Sequence, residues 1–523
     1  MGLNTLDFLK RRFIVGTQLA VISVVAAIGL SGCAVNAPPL TVAVAAPPQW
    51  YAPLPPALTK TASTPQPTAS LTINATNTLP HNGSLTSLSQ WWQQQNDPLL
   101  VELIDAAQAV SPSIITARSN IQQAQAAQVA SFAALLPTLG AFGGLNRERS
   151  APVSANSAGQ ITNSAQAGLQ VSWEVDLFGQ NEASLNADKE RFLGTQARWH
   201  EARVLVAAEV ANQYYGLRAC EKQLQVADAD ARSRLQTSRL NEQLVKSGFV
   251  APATAALARA TAADGNSRLT AQRAECQLIV KALVALTALA EPDLIQKLAA
   301  APASLQQGFA HISSVPAEVL SQRPDVYSAA RELTAASFEV GSARAQRYPR
   351  LSIGGTIARN RISAPSFNRS FDTWSFGPIS LTVPLFDGGA ADANVDAAKA
   401  RYEEAAGKYR GTVRQAVREV EEALINLQST GDRGDDAVVA TQGYKASFAG
   451  TEARYKAGLA SLVELEDARR TLLAAQSALV SLERERRSAW IALYRALGGG
   501  WTAAAPPATP IVFGIPEAFL PDW

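Results

Sequence analysis

Side chains suited to soft metals and redox chemistry are nearly missing from this 523-residue chain, which holds one Met, three His and three Cys. Cys33, Cys220, Cys276, His81, His200 and His311 stand far apart, with no CxxC or HExxH spacing. That excludes a zinc or redox enzyme and disfavours methionine-ligated copper or silver. No GxSxG, Walker-type glycine loop or GxGxxG occurs either, so neither an enzyme nor a cofactor is expected. Excess charge of one sign is absent, since 46 Lys+Arg against 44 Asp+Glu leave a net +2. A nucleic-acid partner is therefore not expected. Beyond the N-terminal segment there is no uninterrupted 18-residue apolar run, which excludes a multi-span helical membrane protein.

What is present begins with Lys10, Arg11 and Arg12 before an apolar stretch from Phe13 to Leu30, ending in Leu30-Ser31-Gly32-Cys33. A basic n-region with a short h-region reads as a secretory signal over 1–32. The Leu-Ser-Gly-Cys run resembles the lipobox of bacterial lipoproteins, which implies cleavage before Cys33 and acylation of that residue. Ala34 rather than Asp in the next position goes, in that family, with sorting to the outer membrane. Several acyl chains together anchor stably where one would be marginal. From 33 to 88 the chain holds ten of its 28 prolines and reads as an extended, lipidated tether.

The remainder is duplicated. Pro137-Thr138-Leu139 matches Pro349-Arg350-Leu351 at an offset of 212, and Val175 to Phe178 matches Val383 to Phe386 at 208. Lys246, Gly248, Ala258, Arg259 and Leu269 match Lys456, Gly458, Ala468, Arg469 and Leu479 at 210. Offsets that drift only across loops are the mark of a tandem repeat. The first unit spans 89–291 and the second 323–500, with a linker at 292–322 and a Pro-rich tail at 501–523. Each reads as helix, strand, strand, long helix, tight turn, helix. The long helices run about 65 residues, roughly 100 Å at 1.5 Å per residue, and their Ala-rich composition suits close side-by-side packing.

Strands are expected at about 138–149, 165–178, 350–361 and 374–386. In the second, Leu169, Val171, Trp173 and Val175 alternate with Gln170, Ser172 and Glu174. One face is apolar and the other polar, as in a membrane barrel with lipid outside and water within. A half-buried soluble strand would alternate in the same way. In the fourth, Trp374 and Phe376 have the opposite parity to Ile379 and Leu381, so a break is expected at Gly377-Pro378. Four strands cannot close a barrel, because about eight is the minimum. Membrane-crossing strands therefore demand an oligomer, and three chains giving twelve strands would leave a lumen.

These residues resemble the TolC-like outer-membrane efflux channels, specifically the lipoprotein branch that works with resistance-nodulation-division (RND) pumps. The resemblance rests on Trp91-Trp92, Asp97-Pro98-Leu99, Trp173 to Gly179, Gln322 to Val326, Pro384 to Gly389, Asp467 to Leu473 and Leu497 to Trp501. It implies a mainly α fold with a small β part, a homotrimer whose twelve-stranded outer-membrane barrel continues as a twelve-helix periplasmic tunnel. It implies a midway belt, to which 292–320 and the tail would belong. Expected partners are a periplasmic adaptor (membrane-fusion) protein, an inner-membrane RND pump and outer-membrane lipid. The expected function is passive export from pump and adaptor to the exterior, with selectivity residing largely in the pump. The tips near Gly248 and Gly458 would meet the adaptor, and Glu464 and Asp467 fall on the family's gating acid positions. Three apart on a helix, they share a face, and threefold symmetry would stack them into a negative constriction. The first repeat has Thr254 and Leu257 at the matching places. The alternative is a periplasmic coiled-coil spacer or scaffold lipoprotein without a channel.

Cys220 and Cys276 each lie 28 residues from Gly248, so a hairpin about that turn sets them level. With Cys33 acylated they are an even pair in an oxidising compartment, and a disulfide is expected.

Overall fold

The computed structural model describes residues 37–43, 91–93, 97–149, 161–301, 320, 323–365 and 367–501. The signal segment, Cys33, most of the 33–88 tether, His81, His311, much of the 292–322 linker and the tail after Trp501 lie outside the described residues. In chain order come α1 (Pro98–Val110), α2 (Pro112–Ala133), β1 (Thr138–Arg149), β2 (Ile161–Val175), α3 (Gln180–Lys246) and α4 (Pro252–Thr287). Then follow α5 (Glu291–Ala300), α6 (Pro324–Ala345), β3 (Arg350–Ala364), β4 (Phe367–Thr382), α7 (Ala390–Lys456) and α8 (Leu462–Ala496), closed by a 3-10 turn at Gly498–Gly500.

The duplication is visible element by element. Helices α2 and α6 both have 22 residues, and α3 and α7 both have 67, or about 100 Å. Fully buried positions recur at the same offset of 210, with Val210 and Val420, Leu217 and Leu427, and Leu283 and Leu493 each in the core. Next to the sheet, α2, α3, α6 and α7 lie in a row, and at the far end the row is α4, α3, α8, α7. Between the two rows sits the main core, where α1 and α5 join the long helices. There Trp91 stacks on Trp490 at 4.5 Å, and Tyr494 approaches both Trp91 and Trp92. Tyr214 donates to Asp97 at 2.7 Å, which ties the N-cap of α1 to α3.

Where one helix is expected from Asp97 to Leu136, the chain breaks at Ser111, whose ψ is 123°. Pro112 is the cause: its ring excludes the residue before it from helical ψ and restarts the helix at N1. The linker is not all irregular, because α5 inserts Leu294 and Leu298 into the core.

The four strands form one antiparallel sheet in the order β1-β2-β3-β4. Strand β2 begins earlier than expected because Ile161 pairs with Arg149, and it ends at Val175. Just beyond, Asp176 accepts from the Glu182 amide at 2.7 Å and starts α3. Strand β4 begins at Phe367 opposite Ala364 and stops at Thr382, two residues before Pro384. The parity change in β4 is a bulge, with Ile353 facing Ile379 while Gly355 faces Phe376. Gly168 is required where β2 meets β3, since a Cβ there would lie 2.4 Å from the Ile357 carbonyl oxygen.

Part of the Pro-rich segment is packed rather than free. Its carbonyls accept from α6 and α7: Ser337 donates to Pro38 at 2.6 Å, Thr334 to Leu40 at 3.1 Å and Tyr402 to Pro39 at 2.9 Å. Proline lacks an N–H, so acceptors are what such a segment has to offer, and hydroxyl-bearing helix faces match them.

Candidate functional site

Both hairpin turns have one geometry. Gly248 (φ 77°) and Gly458 (φ 75°) take the left-handed conformation that closes a helix C-terminus. At the first, Phe249 donates to the Leu244 carbonyl at 2.9 Å and Gly248 to Val245 at 3.0 Å. At the second, Leu459 donates to Arg454 at 2.8 Å and Gly458 to Tyr455 at 3.0 Å. Each turn projects an apolar side chain into solvent, with Phe249 78% and Leu459 70% exposed.

The helices leaving the turns differ. Helix α4 starts at Pro252 with no side-chain cap on Ala251. Helix α8 starts with a capping box, in which Ser461 Oγ accepts from the Glu464 amide at 3.2 Å and Glu464 Oε2 accepts from the Ser461 amide at 2.7 Å. Asp467 accepts from Arg470 at 2.6 Å. Both acids are exposed, yet both carboxylates already have partners within their own helix.

Arg469, two residues from Asp467, points away from it into a buried cluster between α8 and α3. Glu466 accepts from Arg234 at 2.5 Å and also pairs with Arg469, while Asp230 holds the other side of Arg234 at 2.9 Å. Arg469 further donates to Ser233 and Thr237 at 3.0 Å each and lies over the Phe448 ring of α7. Burial lowers the proton affinity of Arg469, and Glu466 opposes that. Closer to the tip, the Asn241 amide and the Tyr455 hydroxyl join α3 to α7 at 2.7 to 3.0 Å. None of Arg234, Glu466 or Asn241 stands out in the sequence, because isolated polar and charged residues on a long helix read as a solvated face. Glu466 and Arg469 each lie four residues after a leucine, Leu462 and Leu465, and so share the apolar face of α8, which is the one local signal.

Cys220 and Cys276 face each other between α3 and α4 and are joined by a disulfide, with Cα atoms 5.6 Å apart. At the offset of 210 the second hairpin has Thr430, whose hydroxyl turns back to the Asn426 carbonyl at 2.7 Å, and Arg486. His200 lies against Trp199 and Trp501. Burial, and secondarily Arg203, push it down to about 4, so its imidazole is neutral around pH 7. Among the described residues no three His, Cys, Asp or Glu converge in a metal-binding group.

On the sheet, Leu169, Val171, Trp173 and Val175 share one face of β2, and the first three are exposed. Their β3 partners Ile357, Gly355, Ile353 and Leu351 continue that face, and Trp374 and Phe376 extend it on β4 at 80% and 76% exposure. The opposite face carries Gln170, Ser172, Glu174, Ser352, Thr356 and Ser375. Among the described residues no helix is by itself long and apolar enough to cross a membrane.

A family described as "Outer membrane efflux protein" matches residues 103–289 and 315–499, one stretch on each repeat. The chain belongs to the outer membrane efflux protein family. It is thus an outer-membrane efflux channel and not an enzyme. It is 28% identical over 410 residues to the solvent efflux pump outer membrane protein SrpC of Pseudomonas putida, covering 78% of this chain and 87% of that one. It is 29% identical over 432 residues to the pyoverdine export outer membrane protein OpmQ of Pseudomonas aeruginosa, covering 80% and 88%. The crystal structure of the Campylobacter jejuni CmeC outer membrane channel superposes with a TM-score of 0.74 at 23% identity, covering 86% and 96%, a likeness of fold. The mainly helical, duplicated fold with one four-stranded sheet is that of the trimeric TolC-like channels.

Proposed function

We propose that this protein is the outer-membrane duct of a tripartite efflux system, working as a homotrimer with a periplasmic adaptor and an inner-membrane pump of the RND class. The observation that carries this reading is that the protomer is open at the same two edges along its whole length. Strands β1 and β4 have no outer partner among the described residues. The helices at the ends of the two rows expose apolar side chains: Ile115 and Val129 on α2, Leu278 on α4, and Ile425 and Val439 on α7. An open sheet edge and an apolar helix flank are unstable alone. Three copies related by a threefold axis cover both at once, giving twelve strands around a lumen and twelve helices below. Cys33 would carry the lipid anchor. The docked segment 37–43 would hold that anchor beside α6 and α7, the helices that flank β3 and β4.

The exposed Phe249 and Leu459 beside Gly248 and Gly458 fit an adaptor that seats on both kinds of tip. Glu464 and Asp467 would form the acidic constriction. Because Glu464 also caps α8 and Asp467 also pairs with Arg470, any such ring is built from carboxylates that are locally restrained. Cargo choice resides elsewhere, as two relatives of nearly equal identity bear names for solvent efflux and pyoverdine export. Single-channel recording of the purified trimer in a planar bilayer tests the reading. A small or rarely open pore that widens in Glu464→Ala/Asp467→Ala supports duct and acid constriction together. A heat-modifiable trimer whose conductance is the same in both forms removes the acids from the gate. A protein that never forms a pore or a heat-modifiable barrel is the spacer instead.

A further inference from the structure

The outward face of the sheet changes chemistry toward its far end. Nearest the helices the cross-strand rows are apolar: Val175, Leu351 and Leu381, then Trp173, Ile353 and Ile379. Leu169, Ile357 and Trp374 continue them. Two residues farther along, on the same parity, Arg359 stands between Ala167 and Asp372, and next Arg361 stands between Ala165 and Ser370. On β1 that parity ends in Arg147 and Arg149, opposite Asn163 and Ile161. All four arginines are exposed.

Lipid-facing arginines cost a barrel stability near the bilayer centre and little at its edge, so height decides what they mean. From Leu351 to Arg361 is ten residues, about 34 Å along a strand and about 26 Å vertically at the usual barrel tilt. The apolar band of an outer-membrane barrel is about 25 Å tall. Arg361 therefore stands at the outer rim of the hydrocarbon, Arg359 lies within snorkelling reach of it, and Arg147 and Arg149 stand just above. The charge on this face is unbalanced. Asp372 is the one acid of this parity at that end among the described residues, 3.9 Å from Arg359, while Arg361 is held by the neutral Asn368 at 3.3 Å. Glu148 and Arg369 carry the other parity.

We infer that Arg359 and Arg361, with Arg147 and Arg149, form a binding site on the barrel's outer rim for a phosphorylated glycolipid of the outer leaflet. This rests on the barrel reading above. The ligand must be an amphiphile, because the arginines continue directly from the apolar band: acyl chains lie on Ile357 and Trp374 while phosphate monoesters take the guanidinium groups. Phosphate suits paired arginines through bidentate, charge-assisted hydrogen bonds.

The test uses the full-length trimer in mild detergent, titrated with diphosphoryl lipid A and read by native mass spectrometry, against dephosphorylated lipid A and phosphatidylglycerol. Wild type is expected to retain diphosphoryl lipid A in preference to both. Arg359→Gln/Arg361→Gln should weaken retention about tenfold or more, as loss of charged hydrogen bonds predicts. Arg359→Lys/Arg361→Lys should recover part of it. Equal retention by wild type and the Gln variant, or a wild type that holds phosphatidylglycerol as tightly, overturns the site. Heat-modifiability and conductance are measured on each sample: an intact barrel without the preference sinks this inference alone, and absence of a barrel sinks the duct reading with it.

Discussion

The hairpins α3/α4 and α7/α8 are copies at an offset of 210, and they are fastened by different chemistry. The first is closed by a covalent bond between its own helices, Cys220–Cys276, and near the tip Ala258 packs across onto Leu462 and Leu465 of α8. The second has no covalent tie and is fastened sideways, along a polar seam between α3 and α8. That seam runs from Ser488 on Asn212, through Lys222 on Glu483 at 2.7 Å and Gln223 on Ser477 at 2.6 Å, to the buried Arg234, Glu466 and Arg469. A disulfide holds whatever the solvent does, whereas polar contacts can be exchanged for water. The expectation is mechanical: the first hairpin should act as a stiff strut, and the second, which also carries the tip acids, should be the one released from its neighbour. Widening at the periplasmic end would then be a parting of this seam, with α3/α4 as the fixed side.

The largest effect is expected where the seam is buried. Glu466→Ala leaves Arg234 and Arg469 facing each other without their shared carboxylate. Breaking a buried pair by removing one partner costs about 3–5 kcal/mol. The variant should show a lower melting temperature by circular dichroism, with faster proteolysis confined to α8 and a raised open probability in the bilayer. An unchanged melting curve would mean that the seam does not hold the second hairpin. Replacing the whole cluster, Asp230→Leu/Arg234→Met/Glu466→Leu/Arg469→Met, should recover much of the stability, since a buried charge cluster can be replaced by apolar packing.

Next comes the strut. The disulfide closes a loop of 56 residues, which in the chain-entropy account is worth about 4 kcal/mol. Cys220→Ala/Cys276→Ala should lose about 2–4 kcal/mol and give α3/α4 the protease sensitivity otherwise expected only of α7/α8. If conductance changes as much as in Glu466→Ala, the two hairpins are mechanically equivalent and the contrast drawn here fails.

Much of this architecture is legible in residue order, because it rests on periodicity. The long helices follow from Ala-rich stretches without internal proline, the apolar face of β2 from the strict alternation of Leu169 to Val175, and the bulge from the parity of Trp374 against Ile379. What is illegible depends on who meets whom across hundreds of residues. Arg234 and Glu466 are 232 apart and look like ordinary surface charges until α3 and α8 lie side by side. Ser337 and Thr334 look like neutral helix positions until Pro38 and Leu40 are laid on them. Pro112 marks the break between α1 and α2, but the apolar pattern runs on through it and by itself reads as one helix. The tip acids are the instructive case: their place on a shared face is a matter of spacing, but their engagement by Ser461 and Arg470 is a matter of rotamers.

The smallest and most discriminating effect is expected at the caps, where the first tip has Ala251 and the second has Ser461. Glu464 does two jobs, capping α8 and supplying charge, and the two can be separated. Glu464→Gln keeps a side chain able to reach back to the Ser461 amide, since Gln serves as well as Glu in a capping box. Ser461→Ala keeps the charge and removes the cap, at a cost of about 1 kcal/mol. At the first tip Ala251→Ser supplies the missing cap and should gain a similar amount. If the acid acts as charge in a constriction, Glu464→Gln raises conductance and shifts cation preference while melting is unchanged, and Ser461→Ala leaves conductance near that of wild type. If it acts as a cap alone, the pattern reverses: Ser461→Ala loosens the tip and alters gating, and Glu464→Gln is silent. The tips would then differ in stiffness rather than in charge, and the asymmetry between the hairpins would be carried entirely by what lies above them.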